Sequence, residues 1–493
     1  IDRIRIETQL YAILLSNQGG GRVSMERKEY QYRGDGNVEM IPESGAATPT
    51  AVFAGGTYST AVLPYQASRA AGSYDATRDT LELSYRYTNP AGGAIVKTYY
   101  FYPDEYHYDL LFTVENPNRF GFERSYTLWW NTPLGVTEQQ QVASDYGSMQ
   151  AVTMQGGSRE ALEEYRDDQL NQSLDGNTAW VGVRSKFFSA VVIPRGRDGQ
   201  AAIAQGFKQP ISTEDGRIET RHITAGIVMP FAVGEPINDS FTVYVGPLDY
   251  LRMADYDVDL EAMLDIGTMP FFGMLIKPFA IAIMWLLPKI NSVVPNYGLV
   301  LFVFAILVKL ITLPLTLKQF KSMQGMREIG PKVEDLRKRY AKDPQTLQRE
   351  TMRLYKEHGV NPMSGCLVML PQMPLMIAMF RVFQATILLR NEPFVWFVDD
   401  LSRGAAGLTD PLIILVVIMV VAQLGSSLLT MQGGAGGGQQ KALTYIFPIM
   451  LGFFLYSLPS GLILYWTAFS LLSFVDWFLF KRGQAKNPQV KTA

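Results

Sequence analysis

The sequence predicts a multi-domain fold: a large extracytoplasmic β-sandwich followed by an α-helical polytopic membrane domain of five core transmembrane helices. Three observations predict it. Alternating apolar and aromatic residues bounded by Asn, Pro and Gly recur through the first 259 residues; long apolar runs begin after Asp259; and basic residues collect in one loop between those runs.

The chain has 493 residues, enough for two or three domains, and a formal net charge of −2. Total charge gives no attraction to nucleic acid or to an anionic membrane surface, so any electrostatic signal lies in local patches. Cys366 is the only cysteine, which excludes an internal disulfide framework and a cysteine-cluster metal site. Three histidines, His107, His222 and His358, leave little for zinc chemistry. The charged fraction is 18% and the mean hydropathy is just above zero, as a water-soluble part averaged with a membrane part would give.

In the first part, "TLELSYRYTNPAGGAIVKTYYFY" (80–102) alternates, turns through Asn-Pro-Ala-Gly-Gly and resumes, which predicts a hairpin. Further strands are expected in 109–118, 125–134, 179–194 and 239–247. One stretch between them, "SREALEEYRDDQL" (158–170), predicts a helix. Strands at this frequency argue for a β-sandwich over residues 1–259.

Five apolar segments approach the roughly 20 residues that a helix needs to cross hydrocarbon: about 296–316, 363–389, 411–430, 442–458 and 461–480. They define a core over 293–480, with a hairpin at 318–360 and a short basic tail at 481–493. A sixth stretch, 269–290, is interrupted by Lys277, Pro278 and Pro288. It could span, or it could lie in the interface as an amphipathic helix within a linker, 260–292; spanning is the weaker reading because the two prolines and the lysine break the segment.

Charge sets the expected orientation. Residues 318–360 carry 11 basic and six acidic side chains, 391–410 carries Glu392, Asp399, Asp400 and Asp410 against Arg403 alone, and 481–493 has four basic residues and no acid. The basic segments belong in the cytoplasm, so five spans put the β-domain outside and the C-terminus inside. An exported domain requires a signal or anchor, and one is expected ahead of Ile1.

Lys309 stands out inside the first core span. It precedes Lys318 by nine residues, which at 1.5 Å per residue sets it roughly 13 Å deeper than the edge of the basic loop. An intramembrane lysine costs ~2.5–3.5 kcal/mol on insertion scales and persists where it faces a bundle interior or a wet cavity. The bland alternative is a snorkelling side chain. Gln372, Gln423 and Asp476 are further polar groups within spans; a lone glutamine is more often interhelical glue than a ligand. Gln372 draws more attention than Gln423, because Pro371 and Pro374 beside it remove two backbone donors and bend the span. The hairpin pattern runs through Met323, Met326, Ile329, Val333, Leu336 and Tyr340, turns at "AKDPQ" (341–345), and continues through Leu347, Thr351 and Leu354. "GGAGGG" (433–438) lacks a following Lys-Ser/Thr and a preceding strand, so it reads as a connector and not a phosphate loop. No catalytic, nucleotide or metal constellation appears; neither an enzyme nor a cofactor is expected.

The segments "LVKLITLPLTLKQFKSMQGMREIGPKVEDLRKRY" (307–340), "GVNPMSGCLVMLPQMPLMIAMFRVFQATILLRNEPFVWFVDDLS" (359–402) and "FPIMLGFFLYSLPSGLILYWTAFSLLSF" (447–474) resemble the YidC branch of the YidC/Oxa membrane protein insertases. The motifs NP-x-x-GC, QMP, LPSGL-x-LYW and VGP (245–247) carry the resemblance over about 240–493. Looser similarity at "NQGGGR" (17–22) and "WVGVRSKFF" (180–188) extends it. The resemblance implies insertion and folding of membrane proteins into the inner membrane, alone or with the Sec translocon. It implies a hydrophilic groove open to cytoplasm and lipid, with Lys309 at the family's groove cation, Gln372 at the polar position on the next span, and Tyr465 and Trp466 at the aromatic pair on the last. Met373 and Pro374, with Phe447 and Pro448, fall where clients slide. The implied partners are nascent membrane protein clients, Sec translocon components, the phospholipid bilayer and the ribosome through the hairpin, with no specific nucleic-acid sequence. The short tail argues against ribosome tethering from the C-terminus. A rival reading, an ion- or proton-coupled polytopic transporter using Lys309 as its titrating site, requires an acidic partner and paired halves; Asp476 is the one candidate partner and no internal repeat is visible.

Overall fold

The computed structural model describes residues 1–32, 36–41, 47–53, 58–122, 124–139, 141–213, 216–266, 273–359, 369–431 and 438–486. The chain divides after Leu264 into two compact units. This is five residues later than the composition shift at 259. Leu260 and Met263 are buried in the first unit, and the Met263 carbonyl accepts a hydrogen bond from Arg184 at 2.6 Å.

The described strands of the first unit form a five-stranded and a fifteen-stranded sheet. The smaller runs in the order Asn37–Ile41, Gly21–Gln31, Tyr11–Ser16, Arg3–Glu7, Gly72–Asp75, with only the last pair parallel. The centre of the larger sheet is Gly199–Thr213, Gln169–Arg184, Phe188–Arg195, Ile237–Pro247, His107–Glu115 and Ala94–Phe101. Period-two burial explains these strands: in His107–Glu115, Tyr108, Leu110, Phe112 and Val114 face the core while Leu111 faces out. The expected hairpin pairs Leu81–Thr88 with Ala94–Phe101, Thr88 opposite Ala94. Two short helices, α1 (Val142–Ser148) and α2 (Tyr250–Ala254), decorate the sheets.

The helix expected at 158–170 is not formed. Ser158–Leu162 and Tyr165–Arg166 are strands, and Gln169 opens the long strand Gln169–Arg184. Asp167 and Asp168 both have positive φ, and Arg166 pairs with Gln169, so the acidic dipeptide makes a two-residue hairpin turn. Gly156-Gly157 does the same between Gln155 and Ser158. Pairing with the neighbouring strands outweighs the helix propensity of Glu, Ala and Leu.

The two sheets face each other through buried polar side chains set among rings. The Arg22 guanidinium lies 4.2 Å from the Trp130 ring centroid, and Arg27 lies between Tyr11 and Tyr106. Lys97 reaches across to the carbonyls of Gly19 (2.8 Å) and Pro49 (3.1 Å), and the Tyr99 hydroxyl donates to Gly20. Burial holds the Lys97 ammonium down to about 7. Between there and the ordinary lysine range the unfolded chain binds the proton that the folded chain has lost, so this group raises stability with pH. The slope is at most about 1.4 kcal/mol per unit; it vanishes below the folded value. Above about pH 10 the buried tyrosines, held above their usual value by desolvation, oppose it. Denaturation of this unit at pH 7, 8 and 9, followed by the fluorescence of buried Trp130 and Trp180, is expected to show the rise. Lys97→Met is expected to remove it.

The described part of the second unit is helical: α3 (Gly273–Asn291), α4 (Tyr297–Glu328), α5 (Gly330–Arg339), α6 (Pro344–Glu357), α7 (Met369–Ala385), α8 (Ile413–Met431), α9 (Gly438–Leu455) and α10 (Ser460–Lys486). By length and composition α3, α4 and α10 can cross a membrane, while α8 and α9 hold shorter apolar stretches. The motif around Cys366 and the connector "GGAGGG" fall outside the described residues, save Gly438, which opens α9. α10 packs against α4 and α8, α9 against α8, and α3 against α7 and α4. Gly425 on α8 has space only because it lacks a side chain: a Cβ there would lie 2.7 Å from the Phe474 ring on α10. Small residues at such crossings bring helices together where no hydrophobic force between them is available.

The expected hairpin is formed with one change. α4 runs on to Glu328, and its pattern breaks at Ile329 where α5 begins, since Pro331 lacks an N–H and crowds the preceding turn. The turn before α6 is where the sequence places it, with Asp343 capping the Thr346 N–H at 3.1 Å.

Candidate functional site

The outward faces of the long helices are apolar. Leu310 and Ile311 on α4, Val417 and Val421 on α8, Ile449 and Phe453 on α9, and Val475 and Phe478 on α10 are all exposed. Polar groups turn inward instead, the inversion expected of helices surrounded by hydrocarbon.

Lys309 is on the inward face of α4, 7% exposed. Its Nζ donates to Asp476 Oδ2 and to Ser473 Oγ, each at 2.8 Å, and lies 3.9 Å from the Phe469 ring centroid. Asp476 is 5% exposed. Lysine and aspartate thus form a buried, hydrogen-bonded ion pair between α4 and α10. Next to it Pro314 withholds a helix bond from α4. The Thr312 hydroxyl donates to the Val308 carbonyl at 2.9 Å, and Thr316 donates to the Thr312 carbonyl at 3.1 Å.

The aromatic pair on α10 divides between two neighbours. Tyr465 is buried, with its ring 5.8 Å from Phe304 of α4 and 5.9 Å from Phe469, and its hydroxyl has no hydrogen-bond partner among the described residues. Trp466 donates its indole N–H to Gln423 Oε1 on α8 at 3.1 Å, and Ser470 donates to the same oxygen at 2.7 Å. α10 therefore carries two stripes: Tyr465, Phe469, Ser473 and Asp476 towards α4, and Trp466 and Ser470 towards Gln423.

Gln372 on α7 is half-buried, and its side chain makes no hydrogen bond among the described residues. Beside it Met373 is exposed and Pro374 half-buried; on α9 Phe447 is half-buried and Pro448 buried. The structure thus joins Lys309 to Tyr465 through Phe469 and ties Trp466 to Gln423. The sequence set Gln423 behind Gln372 and offered Asp476 only as the acidic partner that the transporter alternative requires. The spacing 465, 469, 473, 476 is a helical face, and that signal could have found the stripe.

At one end of the bundle the loop between α7 and α8 is pinned to the turn between α9 and α10. Arg403 bonds Asp399 at 3.1 Å and Asp410 at 2.6 Å. The Arg403 carbonyl accepts from Ser460 N–H at 2.7 Å, and the Leu401 carbonyl accepts from Gly461 N–H at 2.8 Å. Elsewhere, α5 and α6 border a cleft of about 310 Å³ lined by Lys332, Arg339, Arg353, Glu350 and Glu357.

Two family descriptions match the chain: YidC periplasmic domain over residues 3–282, and 60Kd inner membrane protein over 289–487. The membrane protein insertase YidC of Chlorobium luteolum is 34% identical over 417 residues, covering 81% of this chain and 68% of that protein. Its counterpart from Chlorobaculum parvum is 31% identical over 494 residues, covering 95% and 80%. A crystal structure of an active YidC insertase with its first transmembrane domain resolved aligns over 95% of this chain and 90% of its own, at 18% identity and a TM-score of 0.37.

Proposed function

The chain belongs to the YidC family of membrane protein insertases, an integral inner-membrane protein, and from that premise we propose that the polar interior between α4, α8 and α10 receives the flank of a client helix. The observation that carries the reading is Lys309: a buried cation bonded to Ser473 and Asp476, with a second polar cluster of Gln423, Trp466 and Ser470 on the neighbouring face of α10, inside helices whose outer faces are apolar.

An acidic flank crossing hydrocarbon costs ~2.5–3.5 kcal/mol per charge on insertion scales. A polar groove reaching into the bundle shortens the dry path, and a cation in low dielectric attracts the flank's carboxylate more strongly than water would. The apolar span leaves sideways into lipid, past Met373, Pro374, Phe447 and Pro448. Hydrophobic partitioning drives the step, aided by the membrane potential. Gln372 lines the entrance on α7.

In this reading the bundle has five spans, α4 and α7 to α10, with the β-unit in the periplasm and the C-terminus in the cytoplasm; the charge bias of the loops supports it. α3 lies in the interface: Lys277, Lys289, Pro278 and Pro288 interrupt it, and Lys289 sits 5.4 Å from the exposed Trp285 ring. Clients arrive alone or from the Sec translocon. The basic hairpin, α5 and α6, is the docking element for the ribosome.

The Lys309–Asp476 pair is also what a proton-coupled transporter would need, which keeps that alternative in view, although no internal repeat accompanies it. Reconstitution separates them. Vesicles holding this protein are expected to bring a single-span client with an acidic N-terminal flank into a protease-protected topology above the level of empty vesicles. No gain over empty vesicles would reject insertion.

A further inference from the structure

The cation that would receive the client is already occupied. Lys309 bonds Asp476 at 2.8 Å, with Ser473 as a second acceptor and the Phe469 ring against its Nζ, and both charged groups are buried. We propose that Asp476 is an internal stand-in for the client's carboxylate, a latch that a client's acidic flank displaces by ion-pair exchange. The proposal rests on the reading of Lys309 as the charge receiver.

The physical argument is one of balance. An ammonium left alone in a low-dielectric interior is strongly unfavourable, so an open, unpaired Lys309 would destabilise the bundle. Asp476 removes that cost in the client-free state. When a client carboxylate enters, one ion pair is exchanged for another and the number of pairs is unchanged. Lys309 is already out of water in the client-free state, and the groove that the client opens admits water to the released Asp476. A neutral flank has nothing to exchange and leaves the pair closed. After the client span moves into lipid, Asp476, fixed on α10 three residues beyond Ser473, closes on Lys309 again. The latch therefore selects acidic flanks and resets without an external energy source.

Removing the internal competitor tests this. Asp476→Asn is expected to raise insertion of an acidic-flank client at sub-saturating concentration about tenfold, an exchange of about 1.4 kcal/mol, with a neutral-flank client unchanged. Asp476→Glu, which keeps the carboxylate, is expected to stay near wild type. An Asp476→Asn protein that keeps its melting transition but inserts both clients equally poorly, or acidic clients no better than wild type, overturns the latch. Lys309→Ala run alongside isolates the underlying reading: if it inserts acidic clients as well as wild type, the charge receiver itself is wrong. A second measurement needs no variant. A water-soluble carbodiimide with an added amine, which converts water-accessible carboxyl groups to amides while the carbodiimide takes up the water as a urea, is expected to label Asp476 in wild-type vesicles only while the acidic-flank client is present. Equal labelling with and without client overturns the proposal.

Discussion

Replacing Lys309 by methionine is expected to cost the helical unit ~3–5 kcal/mol, because it strands the Asp476 carboxylate among apolar side chains. Adding Asp476→Leu is expected to recover most of that loss. The two charges contribute little net stability as a pair, since each was taken out of water to form it, but either one alone is uncompensated. The Phe469 ring lies against the Lys309 ammonium, with the Tyr465 and Phe304 rings beyond it, and a Met-Leu pair can join that apolar area. Unfolding in mixed micelles of wild type, both single variants and the double variant closes the cycle; a coupling near zero would contradict a buried pair. The double variant is expected to be stable and yet deficient with acidic clients, which separates holding the bundle together from receiving charge.

The second large effect is expected at the other end of the bundle. Arg403→Ala removes the guanidinium that holds Asp399 and Asp410, and it is expected to cost ~2–3 kcal/mol. Asp410 also accepts from the N–H groups of Ala406 and Leu412, both at 3.0 Å, so its release loosens the start of α8. The loop is further pinned by Ser460 and Gly461, and a Cβ on Gly404 would lie 2.3 Å from the Ser457 carbonyl. Hydrogen exchange across 399–412 is the readout, with faster exchange there and little change in α4. Unchanged protection would show that the backbone bonds alone hold the loop.

Much of this architecture is legible in the sequence because it is local. Period-two burial marks the strands at 81–88 and 107–115, apolar length marks α4 and α10, and Asp343-Pro344 marks the start of α6. The failure at 158–170 has the same origin: helix propensity is local, whereas the strands there exist through partners at 150–155 and 199–213. The site was half legible. A lysine deep in an apolar run declares itself, and Asp476 is the one acidic partner the spans offer it, but across 167 residues only helix packing shows that the two meet. Gln423 is a similar case: the sequence shows a glutamine in a span, and only helix packing shows that Trp466 and Ser470 share its oxygen.

The central claim is that Lys309 receives charge from the client, and insertion selectivity tests it most directly. Two single-span clients differing only in an acidic or neutral N-terminal flank are inserted into vesicles by wild type, Lys309→Arg and Lys309→Ala, and scored by protease protection. Wild type and Lys309→Arg are expected to insert both, while Lys309→Ala loses the acidic client about tenfold or more and keeps the neutral one, a difference of at least about 1.4 kcal/mol. Equal insertion of both clients by Lys309→Ala would contradict the account and reduce Lys309 to a partner of Asp476 in packing.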